Sequence, residues 1–349
     1  MTLKAFQQKG YTDTESQIAE LEKLILSQYQ EAEKLIDAEL QKLFAKMSDL
    51  NPEDRYNWLI QYDRNIKLKQ NIRDIYSKYD KNAYNLTAES GRIAISNNYY
   101  RQFYTLEWQY PLSFSLLPDG LIEYAVTGQL AAWNELNKTA KAKFISAGIW
   151  PPEGTLTDLF AKNRIDTVLK IQGQINSGIM IGDSYTKIAR RVKGTIGDIV
   201  GGKASGQLAK ALRVVRTEGN RLLNTGAYAS SLEAESQGAE IMRMWDASLD
   251  TRTRPAHGAA DGQKRTADKP FDVGGESLMY PGDSAGSSGN VINCRCTTVD
   301  VIGDWEPSIR RGRDPVTGEN SIFDYKTFDQ WASDNNLTTN KYGRIYANS

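Results

Sequence analysis

The sequence predicts an α+β protein: a mainly helical N-terminal region with long amphipathic helices, then a helix plus small antiparallel sheet unit rich in loops. Apolar residues recur at three- and four-residue steps through the first third of the chain. Period-two alternation appears only beyond residue 239, and glycines, prolines and serines crowd the stretch between its two occurrences. The 349 residues divide on this basis into a helical region at 1–150, a helical connector at 151–184, a mixed unit at 185–303 and a polar tail at 304–349.

The first helix is read from Thr14-x-x-Gln17, which has the form of a capping box. Ile18, Leu21, Ile25, Ala32, Leu35, Ile36, Leu40, Leu43 and Met47 follow on one face and Glu22, Lys23, Glu33, Lys34, Asp37 and Lys42 on the other. This gives a helix of about 30 residues that ends before Asn51-Pro52. Trp58, Leu59, Tyr62, Ile66, Ile72, Ile75, Tyr76 and Tyr79 predict a second helix, and Ile93, Tyr99, Tyr100, Phe103, Tyr104 and Leu106 a third. The chain has 18 tyrosines; at helical spacing they are read as packing core rather than as a contact surface.

Residues 119–150 carry Leu121, Ile122, Ala125, Leu130, Trp133 and Leu136 on one helical face. The run from Gly148 through Pro151-Pro152 to Gly154 breaks the chain, because consecutive prolines cannot continue a helix. A helix from Leu156 to about Ile175 follows, then one from about Tyr185, a flexible glycine-bearing loop, and one from Leu208 to about Gln237. Strands are expected at 240–246 and 291–299, with an exposed loop at Gly286–Gly289. The tail holds one short helical candidate, around Phe328 and Trp331.

Composition excludes several classes. Lys+Arg and Asp+Glu are equal at 43 each, which argues against a protein that coats a polyanion with its whole surface. No apolar run approaches the ~18–20 residues a membrane span requires. The opening residues lack the apolar segment of a secretory signal, and two cysteines are no disulfide framework, so synthesis in a reducing cytoplasm is expected. The single histidine, His257, removes two-histidine metal motifs.

From 187 to 216 eight basic residues (Lys187, Arg190, Arg191, Lys193, Lys203, Lys210, Arg213 and Arg216) face one acidic residue, Asp198. Lys187, Arg190, Arg191, Lys193 and Lys203 are the candidates for phosphate contact; no phosphate-loop spacing is present.

Candidate chemistry concentrates in Trp245-Asp246, Asp250, Arg252, Arg254, His257, Asp261-Gly262, Tyr280-Pro281-Gly282-Asp283 and Asn293-Cys294-Arg295-Cys296. On a strand, Cys294 and Cys296 would share one face. With His257 they give three zinc-type ligands, and Asp250 or Asp261 would be the fourth. The alternative is two buried thiols packing as small apolar groups without a cofactor, and this is the expectation adopted. Arg252, Arg254 and Arg295 are expected to pair with Asp246, Asp250, Asp261 and Asp283, pinning loops that have little core of their own. His257 and Asp250 can also be read as a general base with its orienting carboxylate, although no nucleophile elbow accompanies them.

The ordered series W-D-A-S-L-D-T-R-T-R-P-A-H, D-G, F, Y-P-G-D and I-N-C-R-C-T resembles the phage head morphogenesis (minor head, Mu F-like) family over about 185–302. Arg216-Thr217-Glu218, Arg221, Asn224 and Gly226 fit that family's lead-in helix. The resemblance implies a minor virion component held in few copies inside the head near the portal vertex, linked to head assembly and to DNA delivery. Its implied partners are the portal protein, scaffold or major capsid protein and packaged DNA, with no membrane during assembly. Many members carry a cysteine pair in the D-x-R-T segment, where this chain has Arg254 and His257. Some relatives carry a toxin or nuclease domain after this unit; with only a short polar tail here, no such activity is expected. The competing expectations are a metal-assisted nuclease or hydrolase centred on His257 and Cys294/Cys296, and a nucleic-acid-binding module led by residues 187–216.

Overall fold

The computed structural model describes residues 3–113, 115–128, 138, 156–303, 305, 307–339 and 345–347. Three helices open the chain: α1 (Leu3–Lys46), α2 (Pro52–Ile60) and α3 (Tyr62–Glu107). α1 begins well before the expected start, so Thr14 and Gln17 lie within its span. The second expected helix is split, with Trp58 and Leu59 on α2; from Tyr62 it runs on into the third as the single helix α3, because nothing between Tyr79 and Ile93 interrupts its backbone ladder. α4 (Asp119–Thr127) follows and ends on Gly128 in the left-handed conformation. Leu130, Trp133 and Leu136 and the break at 148–154 lie outside the described residues.

Beyond them come α5 (Leu156–Met180), α6 (Tyr185–Ile196), strands β1 (Ile199–Val200) and β2 (Lys203–Ala204), and α7 (Gly206–Ser236). The segment expected as a flexible loop is thus a β1–β2 antiparallel hairpin, its turn made by Gly201 and Gly202 at positive φ.

The chain forms two compact units. One comprises Ala19–Glu89 and Leu156–Val215 and is helical apart from the hairpin. Its core takes Ile25, Ile36 and Leu40 from α1, Ile72 and Tyr76 from α3, Ile171 and Ile175 from α5, and Ile188 from α6, all nearly inaccessible. Tyr29 and Tyr76 are core residues with ring centroids 6.1 Å apart. The Tyr29 hydroxyl donates to Asp80 at 2.9 Å and Arg164 reaches the same carboxylate at 2.8 Å, which satisfies a buried charge. α6 is capped by Ser184, whose hydroxyl accepts from the Lys187 amide.

The other unit comprises Met1–Ile18, Ser90–Thr155 and Arg216–Ser349. Its centre is a three-stranded antiparallel sheet in the order β4-β3-β7, formed by β3 (Ile241–Asp246), β4 (Lys264–Arg265) and β7 (Thr297–Ile302). Register runs from Ile241 opposite Ile302 to Asp246 opposite Thr297. α8 (Pro255–Ala260), the hairpin β5 (Phe271–Val273) with β6 (Glu276–Leu278), and the single turn α9 (Ser288–Val291) lie between β3 and β7 in sequence. Trp245, Leu249, Ala260, Phe271, Val273, Leu278, Cys294, Cys296, Phe328 and Trp331 form one buried apolar cluster.

Two features of this unit depart from expectation. β7 begins at Thr297, not near 291, because α9 is followed by Asn293 in the left-handed conformation (φ 55°). The tail is structured as well. β8 (Ile309–Arg313) pairs with β9 (Asn320–Asp324), α10 (Phe328–Asp334) is closed by a full capping box on Thr327 and Gln330, and β10 (Leu337–Thr339) pairs with β11 (Ile345–Ala347). Phe328 and Trp331 are the expected short helix, and both are buried in the core. No helix among the described residues is long and apolar enough to cross a membrane.

Candidate functional site

The motif residues gather around the C-terminal end of β3 and its exit loop. Trp245 is buried in β3, with Phe271 packed edge-on at 5.3 Å and His257 at 5.8 Å between ring centroids. The loop from Ala247 to Arg254 has little apolar content, and ionic contacts hold it. Arg295 grips Asp250 with both guanidinium nitrogens, one contact measuring 2.8 Å. Arg252 adds a weaker contact to Asp250 at 3.4 Å. A bidentate fork of this kind fixes orientation as well as charge.

The other expected ion pairs are rearranged. Among the described residues Arg254 meets no carboxylate, and it donates instead to the Asn290 and Ile292 carbonyls, anchoring the α9 turn. Asp283 accepts from the Met279 and Ala285 amides and so shapes the Tyr280-Pro281-Gly282 turn; burial raises its pKa above the usual carboxylate value. Asp261 accepts from the Ala247 and Phe328 amides, while Gly262 donates its amide to Trp245. The cation that serves Asp246 and Asp261 is Arg310 from β8, which sequence reading left in a polar tail. Its sequence signal was the four motif aspartates, Asp246, Asp250, Asp261 and Asp283, set against only three motif arginines, Arg252, Arg254 and Arg295.

A second missed residue is Arg243, fully buried in β3. It donates to the carbonyls of Met279, Thr266, Ala267 and Lys269 and lies 4.5 Å over the Tyr228 ring. Its guanidinium fork ties the β4–β5 connection and the end of β6 to the sheet. The signal available was a lone cation among apolar strand neighbours.

The lead-in helix is α7. Glu218 and Arg221 pair within it at 2.8 Å, both buried, and Arg221 also donates to the Ala125 carbonyl. Asn220 and Asn224 donate to the Cys296 carbonyl at 3.4 and 3.1 Å, and Thr217 accepts from the Asn293 amide. Arg216 is exposed. Gly226 permits close helix contact, since a Cβ there would sit 2.3 Å from the Ile95 carbonyl oxygen.

Cys294 and Cys296 are not on a strand, yet both sulfurs face His257. Its Nδ1 is 3.4 Å from Cys296 Sγ and 3.6 Å from Cys294 Sγ, and all three side chains are buried. Asp250 is not a partner of His257, so the general-base pair is not formed; its carboxylate is held by Arg295 and Arg252 instead. The hydrogen bond from the Cys296 thiol holds Cys294 below the usual thiol pKa, and the same contact with burial pushes Cys296 well up.

The basic stretch lies on α6, the hairpin and the first turns of α7. Lys187 and Arg191 both pair with Asp183, and Lys193 pairs with Asp198 at 3.1 Å and Glu33 at 3.7 Å. The charge is more evenly balanced than the segment alone suggested, because Asp183 and Glu33 lie outside it in sequence. Arg190 and Lys203 are exposed.

Residues 169–299 match the family described as Phage Mu protein F like protein. The resemblance carried by the ordered motif is borne out. The chain is 29% identical over 318 residues to the Minor head protein GP7 of Bacillus phage SPP1, covering 89% of this chain and 90% of that protein. It is 24% identical over 343 residues to the NAD(+)--arginine ADP-ribosyltransferase EFV of Enterococcus faecalis (strain ATCC 700802 / V583), covering 95% of this chain. The chain spans 59% of that second relative's length. No solved structure matches.

Proposed function

We propose that this chain is a minor structural component of a tailed-phage head, associated with the portal vertex and acting in head morphogenesis, with DNA packaging or ejection as the process it serves. Portal protein is the principal partner in this reading; scaffold or major capsid protein and the packaged DNA are further contacts. The observation that carries it is the similarity to a minor head protein across 89% of this chain and 90% of the relative.

The geometry supports a non-enzymatic role. Asp246, Asp250, Asp261 and Arg295 are engaged in holding loops to the sheet, and His257 is turned toward two sulfurs inside the core. An imidazole so placed has no exposed proton acceptor to offer a substrate. The activity in the second relative's name belongs to a protein of which this chain spans 59%, and we assign none of it to the shared part.

Quantitative mass spectrometry of purified virions, before and after triggered genome release, tests the reading. A few copies per particle are expected in the filled head. Copies that leave with the DNA identify an ejected protein, and copies that stay identify a fixture of the vertex. Absence from mature particles would overturn the proposal.

A further inference from the structure

Three soft or borderline donor atoms meet in the apolar core of the sheet-containing unit: His257 Nδ1, Cys294 Sγ and Cys296 Sγ, all within 4.8 Å of one another. The side chains are 2%, 3% and 2% exposed. An imidazole Nδ1 has either one proton or one lone pair, so it cannot make a full hydrogen bond to both thiols. Yet both sulfurs converge on it, at 3.4 and 3.6 Å. A zinc ion with bonds of about 2.0–2.1 Å to nitrogen and about 2.3 Å to sulfur sets its tetrahedral N···S edges near ~3.6 Å. The two observed edges lie at that spacing.

The surroundings suit a bound ion. Two thiolates cancel the charge of a divalent cation, so the assembly is neutral amid Trp245, Phe271, Leu278 and Phe328. The two carboxylates considered as fourth ligand are engaged elsewhere: Asp250 with Arg295, and Asp261 with Arg310 and two amides.

We propose that His257, Cys294 and Cys296 form a structural site for one soft cation, zinc or copper(I), with three protein donors. Such a site ties α8 to the loop before β7, whose ligands are 37 and 39 residues from the histidine. Binding deprotonates both thiols and releases their protons to solvent; no oxidation state changes.

The test uses the full chain, purified without a polyhistidine tag under reducing conditions. It is loaded with zinc in one arm and anaerobically with copper(I) in the other, then passed through a desalting column. Retention of about one ion per chain is the expected result in at least one arm, and the arm that retains metal identifies the ion. Cys294→Ser and Cys296→Ser are each expected to lower affinity by about 10-fold or more. Cobalt(II) loaded on the zinc-binding chain is expected to show sulfur charge-transfer absorption that His257→Ala alters. If neither ion is retained by the folded wild-type chain and both thiols react freely with a disulfide reagent, the proposal is overturned. The wild-type result decides this even where a variant fails to fold.

Discussion

Arg310 and Asp261 meet fork to fork across 49 residues of sequence, with nitrogen–oxygen contacts of 2.9 and 2.5 Å and both side chains buried. Asp246 brings a second carboxylate to within 2.8 Å of the same guanidinium. Replacing Arg310 by leucine would leave two buried carboxylates without their cation, which costs about 3–5 kcal/mol. Denaturant unfolding is expected to show a loss of that size, smaller when Asp246→Asn accompanies it. A loss under about 1 kcal/mol, the range of exposed ion pairs, would contradict the assignment.

Gly226 is expected to reject even alanine. The added methyl would press on the Ile95 backbone at 2.3 Å, and backbone cannot rotate away as a side chain can. Destabilisation of about 1–3 kcal/mol is expected from overpacking, read as a lowered thermal midpoint. An unchanged midpoint would show that α3 and α7 separate there at little cost.

Trp331→Ala should weaken the sheet-containing unit as strongly as a substitution within the family-matched segment. The indole is buried with Phe328 in the cluster that contains Trp245 and Phe271, and such truncations cost about 3–5 kcal/mol. Phe328 is seated against α8 at Gly258, where a Cβ would come within 2.7 Å of its ring. Hydrogen exchange should therefore rise in α8 as well as in α10. Faster exchange confined to α10 would argue that the tail is merely appended.

Stability of this unit should depend on pH through Asp300. Burial raises its pKa to about 6, and Ser231 donates to both of its oxygens at 2.9 Å. With a folded pKa above the unfolded value of about 3.9, the native state holds the extra proton between those values. The group's contribution is fully present below about pH 4 and is lost as pH rises through about 6. Asp300→Asn should remove this slope, so that wild type loses about 2 kcal/mol relative to the variant between pH 4 and 7. Parallel stability curves for the two proteins would refute it.

The basic stretch yields a test of DNA contact. Arg190 and Lys203 are exposed, whereas Lys187 and Arg191 share Asp183. If residues 187–216 touch the genome, Arg190→Ala and Lys203→Ala should each flatten the salt dependence of DNA affinity by about one counterion. Thermal stability should stay unchanged. Binding absent at low salt would leave this face to other roles.

The helical part of the fold was legible because α1 and α3 repeat their apolar positions through Ile25, Ile36, Leu40, Ile72 and Tyr76, and periodicity is a local property. β3 was legible for the same reason. β7 was displaced because alternation in 291–299 is blind to a single left-handed residue, Asn293. The site was legible as a set of residues but not as a set of partners. Asp250 and Arg295 were named among three arginines and four aspartates without being paired, while Arg310 and Arg243 were not named, since a buried cation is assigned by what folds around it. The His257–Cys294–Cys296 cluster was found from residue type alone, although the strand argument for it failed.

The position of Arg310 so late in the chain also sets an order of events during synthesis. The ribosome releases Asp246 and Asp261 long before the arginine that neutralises them, and Phe328 and Trp331 later still. Until then the sheet is a nascent fragment with two uncompensated carboxylates and an open apolar face. A graft of residues 169–299 alone into another protein would be arrested at that stage, and a transplant that works has to carry the chain through α10.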